Sequence, residues 1–165
     1  MGGGFNNRKT PRDMLHRCHD KTLEHLKSMV RVLSKATQNT PIPKADWIVL
    51  KESIDFMSLQ VKRHEEDEEK SLFPMLGSSH KLLIEKLKKE HRSQQKTLTQ
   101  LQFSLKAIAQ NKAQPNLALD SAAELLHMYT HHIDYENKHL LPLVDDLSIE
   151  RNSQLKKEMR SRRQE

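Results

Sequence analysis

Cysteine is nearly absent from this 165-residue chain: Cys18 stands alone, so no disulfide can close within it and a reducing compartment is expected. Glycine (4) and proline (6) are scarce and aromatics make up only 4%, which disfavours sheet and leaves a chain rich in Leu, Lys, Glu and Gln. The expected class is all-α. No apolar run approaches the roughly 20 residues of a membrane span, and the opening MGGGFNNRKTP lacks the apolar stretch of a signal peptide. Met1-Gly2 begins like a myristoylation signal, but Asn6 stands where Ser or Thr is required, so Gly2 to Gly4 read as a flexible tail. The expectation is no membrane association and a cytoplasmic location.

The formal charge of +6 and the basic end KKEMRSRRQE invite an acidic partner. Lysines interspersed with glutamates describe a solvated helix face, however, and no aromatics interleave with the basic residues, so nucleic acid is not expected. The ten histidines are the more unusual feature.

Thr10-Pro11-Arg12-Asp13 reads as a helix start, with Thr10 as N-cap, and an apolar stripe through Leu15, His19, Thr22, Leu26 and Leu33 carries the helix to about Thr37. After the loop-forming QNTPIPK, a second helix from Ala45 to Phe73 follows Leu50, Ile54, Met57, Val61, His64, Glu68, Leu72 and Met75. Pro74 ends or kinks it, and Gly77-Ser78-Ser79 supplies a turn and the next N-cap. A third helix, His80 to Gln110, carries Ile84, Leu87, His91, Gln94 or Gln95, Leu98, Leu101 and Leu105 inward. Beyond a break containing Pro115, a fourth follows Ala118, Ala122, Leu125, Tyr129, His132, Glu136, Leu140 and Leu143. Short connections between long amphipathic helices predict an up-down-up-down four-helix bundle over residues 11–147. Residues 1–10 are expected as a flexible tail, and 148–165 as a short polar extension, helical or frayed.

His64 and Glu68, and again His132 and Glu136, stand four residues apart and so project from one helix face. Each pair is followed by an apolar residue and a proline, Phe73-Pro74 and Leu141-Pro142. In the predicted bundle His19, His64, His91 and His132 lie about 9, 10, 12 and 12 residues from the same end, within one turn of a common level at about 1.5 Å per residue. Four imidazoles and two carboxylates buried together would cost many kcal/mol without a cation. Iron, manganese or zinc suits mixed nitrogen and oxygen donors better than calcium or magnesium. Two carboxylates able to bridge, with two imidazoles left for each ion, favour a dinuclear centre.

The stretches CHDKTLEHL, HEEDEEKSLFPML, KKEHRSQQ and HIDYENKHLLPL together resemble the hemerythrin-like proteins of the HHE cation-binding group, over residues 11 to 147. The resemblance implies two iron ions joined by an oxo or hydroxo bridge, with zinc or manganese as substitutes. His19 and His64 would hold one iron, His91 and His132 the other, and Glu68 and Glu136 would bridge them. The family's oxygen carriers have a second histidine one turn along the third helix, where this chain has Gln95, and an acid five rather than four residues after the fourth-helix histidine. That departure leaves each iron an open position, and disfavours a dedicated reversible O2 carrier.

The function expected from the resemblance is binding of O2 or a related small molecule, peroxide or nitric oxide, for sensing, storage or detoxification. An iron-oxidising or peroxide-reducing enzyme is the alternative on the same ligands. A helical interaction module with a vestigial or zinc-filled site is the alternative from another class. Glu65 and Glu69 read as a solvated acidic patch, with a role as ligand or as support behind the ligands as the alternative. Tyr129 reads as core packing, with donation to bound oxygen as the alternative, and Cys18 as a small residue at a helix interface. His16, His25, His80, His127, His131 and His139 are expected at the surface.

Overall fold

The computed structural model describes residues 9–36 and 41–164, and among these the chain is helical, with no strand. Residues 1–8, expected as a flexible tail, and the predicted helix end and loop at 37–40 lie outside the described residues. Helix α1 (Pro11–Ala36) begins at the expected cap: the Asp13 amide donates to Thr10 Oγ1 (3.1 Å) while the Thr10 amide donates to the Asp13 carboxylate (3.2 Å). This reciprocal pair satisfies two otherwise orphaned amides and fixes where the helix starts.

The second helical run, residues 44–76, is longer than expected and is not uniform. It comprises α2 (Lys44–Phe56), a π-helical segment Met57–Val61, α3 (Lys62–Glu66), a second π-helical segment Asp67–Leu72 and α4 (Phe73–Leu76). Every junction residue keeps right-handed helical torsions, so the run is unbroken. Pro74 neither ends nor interrupts it. The wider turns just before it have already opened the usual hydrogen-bond ladder, so the missing proline N–H costs little there. Termination comes instead at Gly77, whose φ of 74° suits a residue without Cβ. Ser78–His80 form a 3₁₀ turn, and no serine side chain caps the next helix, contrary to expectation.

Helices α5 (Lys81–Ala109) and α6 (Asn116–His139) follow, joined by a turn in which Asn111 adopts a φ of 56°. Beyond a break at Leu140 come α7 (Leu141–Asp145), with Pro142 in its first turn, and α8 (Ile149–Ser161), capped by Ser148 accepting from the Arg151 amide. Polar as its sequence is, α8 packs firmly: Leu155 and Met159 are both 0% exposed. Burying two such side chains contributes about 1.5–3 kcal/mol each.

Helix α1 packs on α2 and α6, and α5 on α6. The apolar interior falls into two clusters. One gathers Leu26, Leu33, Leu50, Met57, Val61, Leu98, Leu101 and Leu125; the other gathers Leu15, Leu72, Phe73, Leu87, Leu140, Leu155 and Met159. In sequence, His19, His64, Glu68, His91, His132 and Glu136 fall where each helix passes from one cluster to the other, and all six are buried.

Candidate metal centre

Four helical runs supply the six side chains. His19 comes from α1, His64 from α3, Glu68 from the second π-helical segment, His91 from α5, and His132 and Glu136 from α6. Each exposes 5% or less. The His-Glu spacing of four brings His64 Nε2 to 3.2 Å from Glu68 Oε1, and His132 Nε2 to 2.7 Å from Glu136 Oε1.

Glu136 is the pivot of the arrangement. Its Oε2 faces one pair of imidazoles, 2.8 Å from His19 Nε2 and 3.7 Å from His64 Nε2. Its Oε1 faces the other pair, adding His91 Nε2 at 3.8 Å. Glu68 Oε1 also reaches across, lying 3.5 Å from His91 Nε2. The donor atoms of Glu68, His91, His132 and Glu136 lie within 4.8 Å of one another, as do those of His19, His64 and Glu136. Glu136 belongs to both groups.

These contacts are short yet are not satisfied hydrogen bonds. Both oxygens of Glu68, both of Glu136, and His91 Nε2 are fully buried without a hydrogen-bond partner. A buried unpaired carboxylate oxygen costs several kcal/mol, so four of them aimed into a ring of imidazole nitrogens is the pattern expected where a cation completes the set. Nitrogen and carboxylate donors in this ratio fit iron, manganese or zinc. The residues present therefore fit a cation centre.

The outward nitrogens are braced. His19 Nδ1 donates to Asn137 Oδ1 (2.9 Å), His91 Nδ1 to the Glu69 carboxylate (2.8 Å) and His132 Nδ1 to the Glu90 carboxylate (2.7 Å). An imidazole that donates through Nδ1 presents the lone pair of Nε2 inward, which fixes the tautomer and ring orientation a metal ligand needs. Glu90 is itself held by Lys86, and against burial His132 and Lys86 lower its pKa below the usual carboxylate value. His64 differs, because its Nδ1 has no partner.

The sequence pointed to Glu69 only as an alternative to a solvated patch, and to neither of the other two braces. It read Glu69 as solvated, whereas Glu69 is half-buried against His91, and it passed over Glu90 and Asn137. Each is the immediate sequence neighbour of one of the six: Glu69 follows Glu68, Glu90 precedes His91 and Asn137 follows Glu136. That adjacency is the signal that would have found them. Glu65 is also more enclosed than expected. It accepts a long bond from the Tyr129 hydroxyl (3.4 Å), and burial, opposed by His91 and reinforced by Glu68, pushes its carboxyl up to about 7. Tyr129 is buried as expected, with its ring edge-on to His132. His16, His127, His131 and His139 are exposed, but His25 is half-buried, sharing a hydrogen bond with Ser53 Oγ (3.0 Å) and stacking on Phe56. Gln95 is exposed and Gln94 is the buried member of that pair.

The charges of the cluster set its affinity for protons. Burial pulls the His91 imidazolium down, but Glu136 and Glu68 more than reverse this and raise it to about 11. His132, again against burial, is raised to about 9 by Glu136, Glu90 and Glu68. Glu136, despite burial, is held well below the carboxylate range by His132, His19 and His64. The carboxylates thus demand positive charge, which either protons or a cation can supply.

A surface cavity of about 500 Å³ lies beside the centre, lined by Lys62, Glu65, Glu69, His91 and Arg92 among others. No helix among the described residues is long and apolar enough to cross a membrane. In comparison with known families, the model described as the hemerythrin HHE cation binding domain matches residues 10–144. A search of curated proteins finds no match.

Proposed function

Because the chain belongs to the hemerythrin HHE cation-binding family, we propose that it is a non-haem diiron protein that binds O2 or a related small molecule for sensing, storage or detoxification. The observation that carries this reading is the buried cluster of four imidazoles and two carboxylates, with four carboxylate oxygens unpaired and Glu136 shared between its two halves. His19 and His64 would hold one ion, His91 and His132 the other, with Glu68 and Glu136 reaching both. Bound iron would supply two-electron redox chemistry toward O2, peroxide or nitric oxide. The protein's part is to orient the Nε2 lone pairs through Asn137, Glu69 and Glu90, and to keep bulk water from the centre with the apolar clusters on either side.

The order of those clusters along the chain supports an up-down-up-down arrangement. Helix α1 passes from Leu15 to Leu26, the 44–76 run from Leu50 to Leu72, α5 from Leu87 to Leu98 and α6 from Leu125 toward Leu140, so the direction reverses each time. Residues 11–147 then form the unit that holds the ions, with α8 added to it.

One observation favours the enzymatic alternative, iron oxidation or peroxide reduction. The Tyr129 hydroxyl and the Glu65 carboxyl, which titrates near 7, sit together beside the centre and could hand a proton to a reduced oxygen species. Anaerobic loading with ferrous iron, a count of iron per chain and then admission of oxygen tests both readings. About two irons per chain and a near-ultraviolet band of a bridged ferric pair are expected. Sustained turnover with ferrous iron or peroxide would select the enzyme. No iron uptake would overturn the proposal, and uptake of zinc alone would leave the interaction-module reading.

A further inference from the structure

Asp67 is the immediate neighbour of Glu68, and its side chain is 0% exposed. Taken from water, a lone carboxylate would cost several kcal/mol, so its partners matter. They come from the far end of the chain. Arg162 Nη1 donates to Asp67 Oδ1 (2.9 Å) and Arg163 Nη2 to Asp67 Oδ2 (2.6 Å), while the second Arg162 nitrogen reaches Ser71 Oγ on the next turn. The two guanidiniums follow directly on α8, whose Leu155 and Met159 are fully buried in the same apolar cluster as Leu72 and Phe73. The C-terminal helix is thus anchored by an apolar contact at its middle and a double ion pair at its end, and that ion pair closes on the π-helical segment that carries Glu68.

We infer that α8 and its two arginines form a latch whose closure positions Glu68 for the metal centre, making Asp67, Arg162 and Arg163 positioning residues. The mechanical reason is local. Adjacent helical residues point about 100° apart, so any rotation that returns an unpaired Asp67 to water turns Glu68 away from His64 and His91. The segment begins at Asp67 in the π register, a register with looser packing of its backbone bonds and a small step from the α form. The arginine pair holds that register by giving Asp67 a reason to stay buried. Coupling of this kind is reciprocal: if a closed latch favours metal, bound metal must favour a closed latch by the same factor. This inference rests on the reading of the six buried side chains as a metal centre.

The test uses the full chain and ferrous iron under anaerobic conditions. Arg162→Gln with Arg163→Gln should weaken iron binding about 10- to 100-fold, the usual effect of losing a residue that orients a ligand. The exposed Lys157→Gln on the same helix should leave binding unchanged. Hydrogen exchange supplies a readout that a merely structural helix would not move: in the wild type, iron should slow exchange across residues 149–163. In the double variant that gain should vanish there while persisting in α5. Should the double variant fold poorly, Asp67→Asn, which removes the charge and leaves the arginines in place, should give the same loss. Equal affinity in wild type and variants, with exchange at 149–163 indifferent to iron, overturns the latch and leaves the centre standing. Failure of the wild type to bind iron at all overturns the centre, and the latch with it.

Discussion

Filling the centre with a divalent cation near neutral pH should expel at least two protons per chain. His132, raised to about 9, and His91, raised to about 11, each hold a proton at pH 7 when carboxylates are their only counter-charge. Both must surrender it to present a lone pair to a metal. These two protons alone make the affinity rise roughly 100-fold for each pH unit, or ~2.7 kcal/mol. His64, against burial, is raised well above its ordinary value by Cys18, Glu68 and Glu136, and steepens the slope further. Above about pH 9 His132 is already neutral and the slope should fall by about one power of ten per unit. Titration calorimetry with zinc in two buffers of different ionisation enthalpy, from pH 7 to 8.5, counts the protons directly. The same shifts fix the stability of the metal-free fold. Imidazoles raised above their ordinary 6.5 stabilise the fold fully below that pH, and their contribution is lost as pH rises through about 9 and then 11. Metal-loaded protein should show the opposite trend, holding its cation better as pH rises over the same range. Release of fewer than one proton, or an affinity flat between pH 7 and 8.5, would mean that Glu68 and Glu136 do not keep these imidazoles charged.

Glu68→Ala and Glu136→Ala should abolish or nearly abolish metal binding, whereas Glu65→Ala should leave most of it; metal content after gel filtration decides, and equal loss in all three would refute the assignment. Glu69→Ala should fall between, about 10- to 100-fold weaker, because it removes only the brace on His91. Chelation should lower the melting temperature, by an amount equivalent to ~4 kcal/mol when free metal had been a thousandfold above its dissociation constant. A melting curve unchanged after the metal is shown to have left would count against a metal-dependent cluster. Leu101→Ala, at a fully buried position far along α5 from His91, should cost about 2–5 kcal/mol in urea denaturation without changing the number of ions bound.

The inward faces were legible because steps of three and four run without interruption along each helix. Leu50, Ile54, Met57, Val61, His64, Glu68, Leu72 and Met75 form one such seam, and all are buried but Ile54 and Met75, which are half-buried. What a seam cannot display is anything that depends on a residue beside it being covered by another part of the chain. Asp67 and Ser71 lie off the seam; they are buried where α8 packs and where Arg162, more than 90 residues away, bonds to both. The π-helical turns were equally hidden, since they change the register of backbone bonds without altering which residues recur inward. The expectation that Pro74 could end the helix failed for that reason. Glu90 and Asn137 escaped notice, and Glu69 was read first as solvated, because their partners are on neighbouring helices, where single-helix periodicity has nothing to say.

The braces also bear on when the centre can exist during folding. His19 and Asn137 meet across 118 positions of sequence, and His132 and Glu90 across 42. Closing such loops is slow relative to forming any one helix, so the donors are aligned only after α1, the 44–76 run, α5 and α6 have docked. Interactions absent from the transition state change the rate of unfolding and leave the rate of folding nearly untouched. An ion taken up by this protein should therefore act as a lock on a finished fold: it would lengthen the lifetime of the native chain, and its own escape would be limited by how often two of these helices part.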